Sequence, residues 1–331
     1  MIVYLVKKLI QYIVVFFIIL VVIFALPRLM PGDPADYLIS STTLQTGEMS
    51  EMLRMQLIER FGLNKSITEQ FILFVTNTFS GYLGISWRYF PKEVFTLIME
   101  RLPWTLLIVV LSRVLSLALG YLIGVIAAWK RGSKLDVSLQ ILGLVSMALP
   151  SFWVGLVLLT IFAFYVPIFP IGGALTAGKI YHSAWEYISD ALYHAALPVI
   201  TLSIVTFFMD ALIMRNSMLE ILGEDFILTA EAKGLKDRII MFNHAARNAA
   251  LPFITGALMS FGLMITGSVF VETTFSYPGV GMLLAESFFS RDFPTVQGIL
   301  IITSLIFIVS NFLADIIYLW LDPRIRLMRS R

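Results

Sequence analysis

The sequence predicts an all-α integral membrane protein of six transmembrane helices with both termini in the cytoplasm. Three observations predict it. Hydrophobic residues make up 58% of the 331 residues and charged residues 14%, with a mean hydropathy of +0.87; a soluble domain carries about 45–50% and about 25%. Six apolar runs approach the roughly 20 residues that a helix needs to cross a bilayer with its backbone groups paired internally. Lys and Arg are also divided unequally between alternate loops. This composition excludes an ordinary soluble enzyme, a disordered chain and a nucleic-acid binder, and a net charge of +2 offers no bulk attraction to an acidic partner. There is no cysteine, which removes disulfides, thiolate nucleophiles and Cys-ligated metals.

The first run, 9–26, follows Lys7 and Lys8. It is longer than a signal-peptide core and no Ala-x-Ala-like site follows, so residues 1–29 read as a retained anchor helix. Residues 30–103 form an extracytoplasmic segment. It opens on MPGDPAD, where Pro31, Gly32 and Pro34 exclude helix. Met49, Met52, Leu53, Gln56 and Leu57 then keep helical spacing. Ser66 and Glu69 read as a capping box for a short helix to about Phe79. Two readings of this segment stay open, a structural cap and a docking surface for an external partner.

The remaining runs, 104–129, 137–166, 197–214, 252–271 and 298–320, build a five-helix core over residues 104–331. The third is long, with Pro167 and Pro170 just beyond it. The similar strings AALPVIT and AALPFIT place Pro198 and Pro252 where each opens a span, which suits the first turn of a helix. The loops 167–196 and 272–297 carry aromatics of the kind that anchor span ends at the interface.

Basic residues set the orientation. The N-terminal stub, the loop after the second run, the loop after the fourth and the tail hold 14 Lys and Arg, against Lys179 and Arg291 on the other side. The former are therefore cytoplasmic. The seven basic residues within 27–103 do not weigh against this, because long loops translocate largely regardless of charge.

Residues for chemistry are missing. His182, His194 and His244 stand far apart without metal-ligand spacing, and there is no P-loop and no G-x-S-x-G. The chain therefore reads as a non-enzyme with no cofactor or metal of its own. Ionisable residues within the spans are costly and are functional candidates for that reason. Arg113 lies near the midplane of the second run, Asp210 deeper in the fourth, and Asp315, one turn after Asn311, near the inner end of the last. They pair inside the bundle or face a polar cavity. Gly256, Ser260, Met264 and Gly267 share a face of the fifth run, which serves either close helix packing or a permeation path for varied solutes. Gly120 and Gly124 form a G-x-x-x-G that reads as packing.

The cytoplasmic loop 215–251 is the most patterned segment. Thr229, Ala230, Glu231, Ala232 and Lys233 are mostly good helix formers, and Gly234 can end that helix and turn the chain into a second one over about 236–248. Two short amphipathic helices joined by a glycine make a knob suited to contact with another subunit.

TAEAKG, followed after nine residues by HAARNAALP, resembles the cytoplasmic coupling motif of ABC-importer permeases in the variant of the dipeptide/oligopeptide (peptide/nickel) family. The general motif begins Glu-Ala-Ala six residues before its glycine; here Leu228 holds that place and Glu231 stands three residues later. MPGDPAD, GYLGISW, ERLPWTL, ALPSFWVG, GSVFVETTFSYPGVG and DPRIR resemble the same family in the same order, over almost the whole chain. The resemblance implies a type I importer permease fold in a prokaryotic cytoplasmic membrane. It implies pairing with a second homologous permease, commonly as a heterodimer. Two cytoplasmic ATPase subunits would bind ATP and Mg and grip Thr229–Gly234, and an extracytoplasmic binding protein would deliver the solute. Peptides are the expected solute; oligosaccharides and nickel travel on the same scaffold. A stand-alone secondary transporter or channel is the contrasting class, and it would need coupling carboxylates in the spans.

Overall fold

A computed structural model describes residues 2–29 and 65–321. The expected helix at Met49–Leu57 and the strings MPGDPAD and DPRIR lie outside them. Among the described residues the protein is helical, and its one β-bridge joins Ile85 to Glu93. The elements are α1 (Ile2–Leu29), α2 (Ile67–Phe79), α3 (Val94–Trp129) and α4 (Lys134–Ala148). Next come α5 (Ser151–Leu159), which continues as a π-helix over Thr160–Tyr165, and α6 (Ala184–Leu222). The chain continues through α7 (Asp225–Ala232), α8 (Asp237–Ile239) with a π-helix over Ile240–Ala246, α9 (Arg247–Thr274), α10 (Val280–Phe289) and α11 (Phe293–Leu321).

Among the described residues four helices are long and apolar enough to cross a membrane: α1, α3, α6 and α11. α4 and α5 with its π-turn make a fifth only if counted as one broken span. The expected third run, 137–166, is thus no single helix. It bends by 103° at Leu149 and Pro150. Pro150 stands at the N-cap of α5, and the residue before a proline is driven into extended backbone, as Leu149 is at φ −86° and ψ 118°. The fifth expected run lies within the 28 residues of α9.

α3 and α6 exceed expectation, at 36 and 39 residues. At about 1.5 Å per residue each is longer than the roughly 30 Å hydrocarbon core. α6 starts at Ala184, so Pro198 lies well inside it, and Pro252 is likewise interior to a helix that enters α9 from the preceding π-turn. Neither proline opens a helix. Each instead belongs to a repeated local solution, in which Thr201 donates to the Leu197 carbonyl at 2.8 Å and Thr255 to the Leu251 carbonyl at 2.9 Å. The carbonyls that lose an N–H partner to these prolines lie four residues earlier, at His194 and Asn248.

The chain forms two compact units. One comprises Lys7–Arg101 and Leu283–Leu305. In it Leu20, Ile23 and Ile301 are buried together, flanked by Phe16, Phe74 and Leu83. α2 opens on the expected capping box, with Glu69 N–H donating to Ser66 Oγ at 3.3 Å and Ser66 N–H to Glu69 Oε2 at 3.0 Å. Its aromatics dock on α1 through Phe71 against Phe24 and Phe74 against Phe24. Asp292 is fully buried and pins the segment after α2. It accepts from Ser86 Oγ, from Trp87 N–H at 3.0 Å and from Thr295 Oγ1 at 2.7 Å.

The other unit comprises Met1–Val6, Leu102–Met282 and Ile306–Arg331. Its core has two main clusters. One centres on Phe275, Tyr277, Leu197 and Val271. The other joins Met214, Met218, Ile227, Ile240 and Phe253. α3 and α6 approach closely, because a Cβ on Gly124 would lie 2.6 Å from the Ala211 carbonyl oxygen and one on Gly120 2.8 Å from Asp210 Cβ.

Candidate functional site

The knob is built from the end of α6 onward. Arg215 is not in a loop, because α6 continues to Leu222. Arg215 Nε and Nη2 donate to the two carboxylate oxygens of Asp136, a buried residue that also accepts from Gly132 N–H at 2.9 Å. α7 then presents two faces. Ile227 and Ala230 are buried with Met214, Met218 and Ile240, while Thr229, Glu231, Ala232, Lys233 and Gly234 are exposed.

The knob ends as the glycine foretells. Gly234 takes φ +69°, its N–H donates to the Glu231 carbonyl at 2.8 Å, and Leu235 N–H donates to the Ala230 carbonyl at 3.3 Å. This is a Schellman arrangement closing α7. A Cβ on Gly234 would meet nothing within 4 Å, so only its backbone conformation requires glycine.

The expected separate helix at 236–248 is not formed as such. α8, its π-turn and α9 run on without a break. The cause is the apolar spacing. Ile240 and Ala245 are both buried and five residues apart, which a π-turn aligns, and Ala246, Ala249 and Phe253 then continue at helical spacing. Residue patterning also missed Phe226 and Leu228, which α7 leaves 40% and 60% exposed on the knob. Their signal is the same stripe that buries Ile227 and Ala230, read from its opposite face.

Two of the three ionisable residues of the spans come together. Arg113 Nη1 lies 2.8 Å from Asp210 Oδ2, with both side chains 7% exposed. Asp210 also accepts from Ser116 Oγ, whose oxygen accepts from Thr206 Oγ1 at 2.9 Å. Arg113 Nη2 donates to Ser260 Oγ at 2.9 Å, which ties α9 to α3 and α6. Asp315 is also buried, on α11. On the small face of α9, Met264 is buried and Ser260 partly exposed, while a Cβ on Gly256 or Gly267 would meet nothing within 4 Å.

The C-terminal end of α9 carries a third group that sequence reading left unassigned. Glu272 is fully buried and accepts from Thr105 Oγ1 at 2.8 Å, Ser268 Oγ at 3.0 Å and Met282 N–H at 3.0 Å. Its signal lay in GSVFVETTFSYPGVG, whose glycines make room for it: a Cβ on Gly279 would stand 2.3 Å from Glu272 Oε2. In the turn that follows, burial and the nearby Glu272 raise the Tyr277 phenol above its ordinary range.

Helices this long and apolar define a membrane protein, and comparison with known proteins gives its family. Residues 120–327 match the binding-protein-dependent transport system inner membrane component family, and residues 1–109 match the N-terminal family of such membrane components. The chain belongs to this family and is a multi-pass protein of the cytoplasmic membrane. It is 34% identical over 326 residues to the oligopeptide transport system permease protein AppB of Bacillus subtilis, covering 97% of this chain and 98% of that one. It is 33% identical to the dipeptide transport system permease protein DppB of Escherichia coli K12 over 92% of each chain. A similar likeness, 33% over 95% of this chain and 96% of the other, holds for the di/tripeptide transport system permease protein DppB of Pseudomonas aeruginosa.

Proposed function

We propose that the chain is one permease subunit of an ATP-driven, binding-protein-dependent importer of di- and oligopeptides. The observation that carries this reading is the end-to-end likeness to permeases named for peptides and dipeptides. On this reading the protein has six spans in a type I importer permease fold, with both termini cytoplasmic and α9 and the broken α4–α5 pair as the two spans added to α1, α3, α6 and α11. Residues 1–29 are the anchor helix, 30–103 the extracytoplasmic segment and 104–331 the permease core.

The partners are a second homologous permease, two ATPase subunits that bind ATP and Mg, and an extracytoplasmic binding protein. Thr229–Gly234 contact the ATPase, with Phe226 and Leu228 supplying exposed apolar surface on the same helix. A rigid knob supports this reading. α7 is fixed by two buried residues on one side and closed by the Gly234 turn, and α6, from which it descends, is clamped to α4 by the Arg215–Asp136 pair. Gly256, Ser260, Met264 and Gly267 face the path, supported by the open space at both glycines.

The test is reconstitution of the chain in proteoliposomes with the candidate permease, ATPases and binding protein from its gene neighbourhood. The expected result is ATP-dependent uptake of small peptides that stops when either the ATPases or the binding protein is left out. Uptake by this chain alone would overturn the reading in favour of a stand-alone transporter. Uptake of nickel or an oligosaccharide in place of peptides would keep the class and overturn the solute.

A further inference from the structure

We propose that Arg113 forms a carboxylate subsite that takes the free carboxylate of the solute as it passes the middle of the membrane. The inference rests on the reading of the α9 small face as path-lining. A guanidinium offers five N–H donors, and its Nε–H and Nη2–H lie on the same edge as a planar fork that matches a carboxylate bidentately. In this protein the other side is already used, with Nη1 bound to Asp210 at 2.8 Å. The fork edge is underused. Nη2 donates to the Ser260 hydroxyl at 2.9 Å, and Nε is buried with no hydrogen-bond partner.

An unpaired buried donor costs free energy that packing elsewhere must offset. A side chain this buried that leaves half of its best recognition edge unpaired is poised for an acceptor that comes and goes. The occupant of that edge is weakly held, because Ser260 Oγ can donate to the Ala257 carbonyl at 3.1 Å without any help from Arg113. Ser260 is also partly exposed, on the face where Gly256 and Gly267 leave open space. A carboxylate arriving along that face can displace Ser260 and meet both Nε–H and Nη2–H. Asp210 serves a second purpose here. It holds the guanidinium by Nη1 and keeps the site electrically neutral when empty, so the arriving anion is bound without a permanent trap.

The experiment uses the complete importer in proteoliposomes. Three probes are compared, trialanine, trialanine C-terminal amide and the amide of Ala-Glu-Ala, with each uptake rate corrected for the loading of the binding protein measured by calorimetry. Wild-type importer is expected to carry trialanine faster than its amide. Arg113→Lys, which keeps a cation beside Asp210 but has no fork, is expected to lower the acid-to-amide ratio about tenfold, the scale of one charge-assisted hydrogen bond. The paired change Arg113→Gln with Asp210→Asn, which leaves no unpaired buried charge, should lower it as far. Recovery of the rate by the Ala-Glu-Ala amide would assign the site to any carboxylate, and its absence to the C-terminal one.

An unchanged ratio in both variants overturns the subsite. The underlying path reading is tested separately by thiol labelling of Gly256→Cys and Gly267→Cys, which is clean because the chain has no cysteine of its own. Labelling that solute protects, with the ratio unchanged, sinks the subsite alone; labelling that solute never protects sinks the path reading.

Discussion

At Glu272 every neighbour is a donor. Two hydroxyls and a backbone N–H converge on a fully buried carboxylate at the junction of α3, α9 and α10. Thr105 is the pivotal partner, because its oxygen also accepts from Val280 N–H at 2.8 Å. Thr105→Val therefore leaves a carboxylate lone pair and a backbone donor unpaired, each worth about 1–3 kcal/mol when buried. It should lower the thermal unfolding midpoint of the purified complex clearly, while Thr105→Ser, which keeps the hydroxyl, should stay close to wild type. A loss in Thr105→Ser with none in Thr105→Val would show that the methyl group's packing matters and the hydroxyl does not. The same carboxylate explains two glycines at once, since a Cβ on Gly281 would also approach Glu272 Oε2, at 2.9 Å.

Helix contacts separate two kinds of glycine that look alike in sequence. On α3, a Cβ at Gly124 would press on backbone, 2.6 Å from Ala211 oxygen and 3.1 Å from Arg215 nitrogen. Neither can move aside without moving α6. Gly124→Ala should therefore cost about 1–3 kcal/mol of stability through overpacking. On α9, Gly256→Ala and Gly267→Ala meet no atoms and should be neutral or gain up to about 1 kcal/mol of helix propensity. Thermal midpoints of the three variants in one detergent check the contrast, and a destabilised Gly256→Ala would contradict it. The G-x-x-x-G packing and the Ser66–Glu69 cap were legible because each is a local pattern with one physical solution. The interior prolines were not. Pro198 and Pro252 follow the same Ala-Ala-Leu that a helix start allows, and only burial along the upstream helix shows that the chain is already helical there. The break at Pro150 escaped for a related reason. An unbroken apolar run carries no sign of direction, so a bent pair and a straight span have the same composition. Of the candidate site, the Arg113–Asp210 pair was legible only as two costly residues, since periodicity does not say which faces of α3 and α6 meet.

At the scale of the whole chain, ion pairs among the described residues join helices, Arg113 with Asp210 and Arg215 with Asp136. Arg215 and Asp136 clamp α6 to α4, and the polypeptide then passes into α7 and returns through α8 to α9. The knob is therefore continuous in chain with α6 and α9, the two helices that carry Asp210 and Ser260. On the proposed reading this is the lever by which an ATPase moves the path, and Gly234 is its stiff corner. With φ at +69° and empty space around it, the corner should tolerate Asn, which visits that region, and resist Val, whose branched Cβ makes it costly. Gly234→Val should leave the permease assembled with its partners, since no packed atom is displaced, yet redirect Leu235 and loosen the knob. The expected outcome in proteoliposomes is ATP hydrolysis that persists while peptide uptake per ATP falls at least about tenfold, a change of about 1.4 kcal/mol in coupling. Gly234→Asn should retain most of the wild-type ratio. If Gly234→Val imports as efficiently as wild type with normal assembly, the knob's conformation does not transmit the motion, and the lever must run through the exposed side chains of α7 instead.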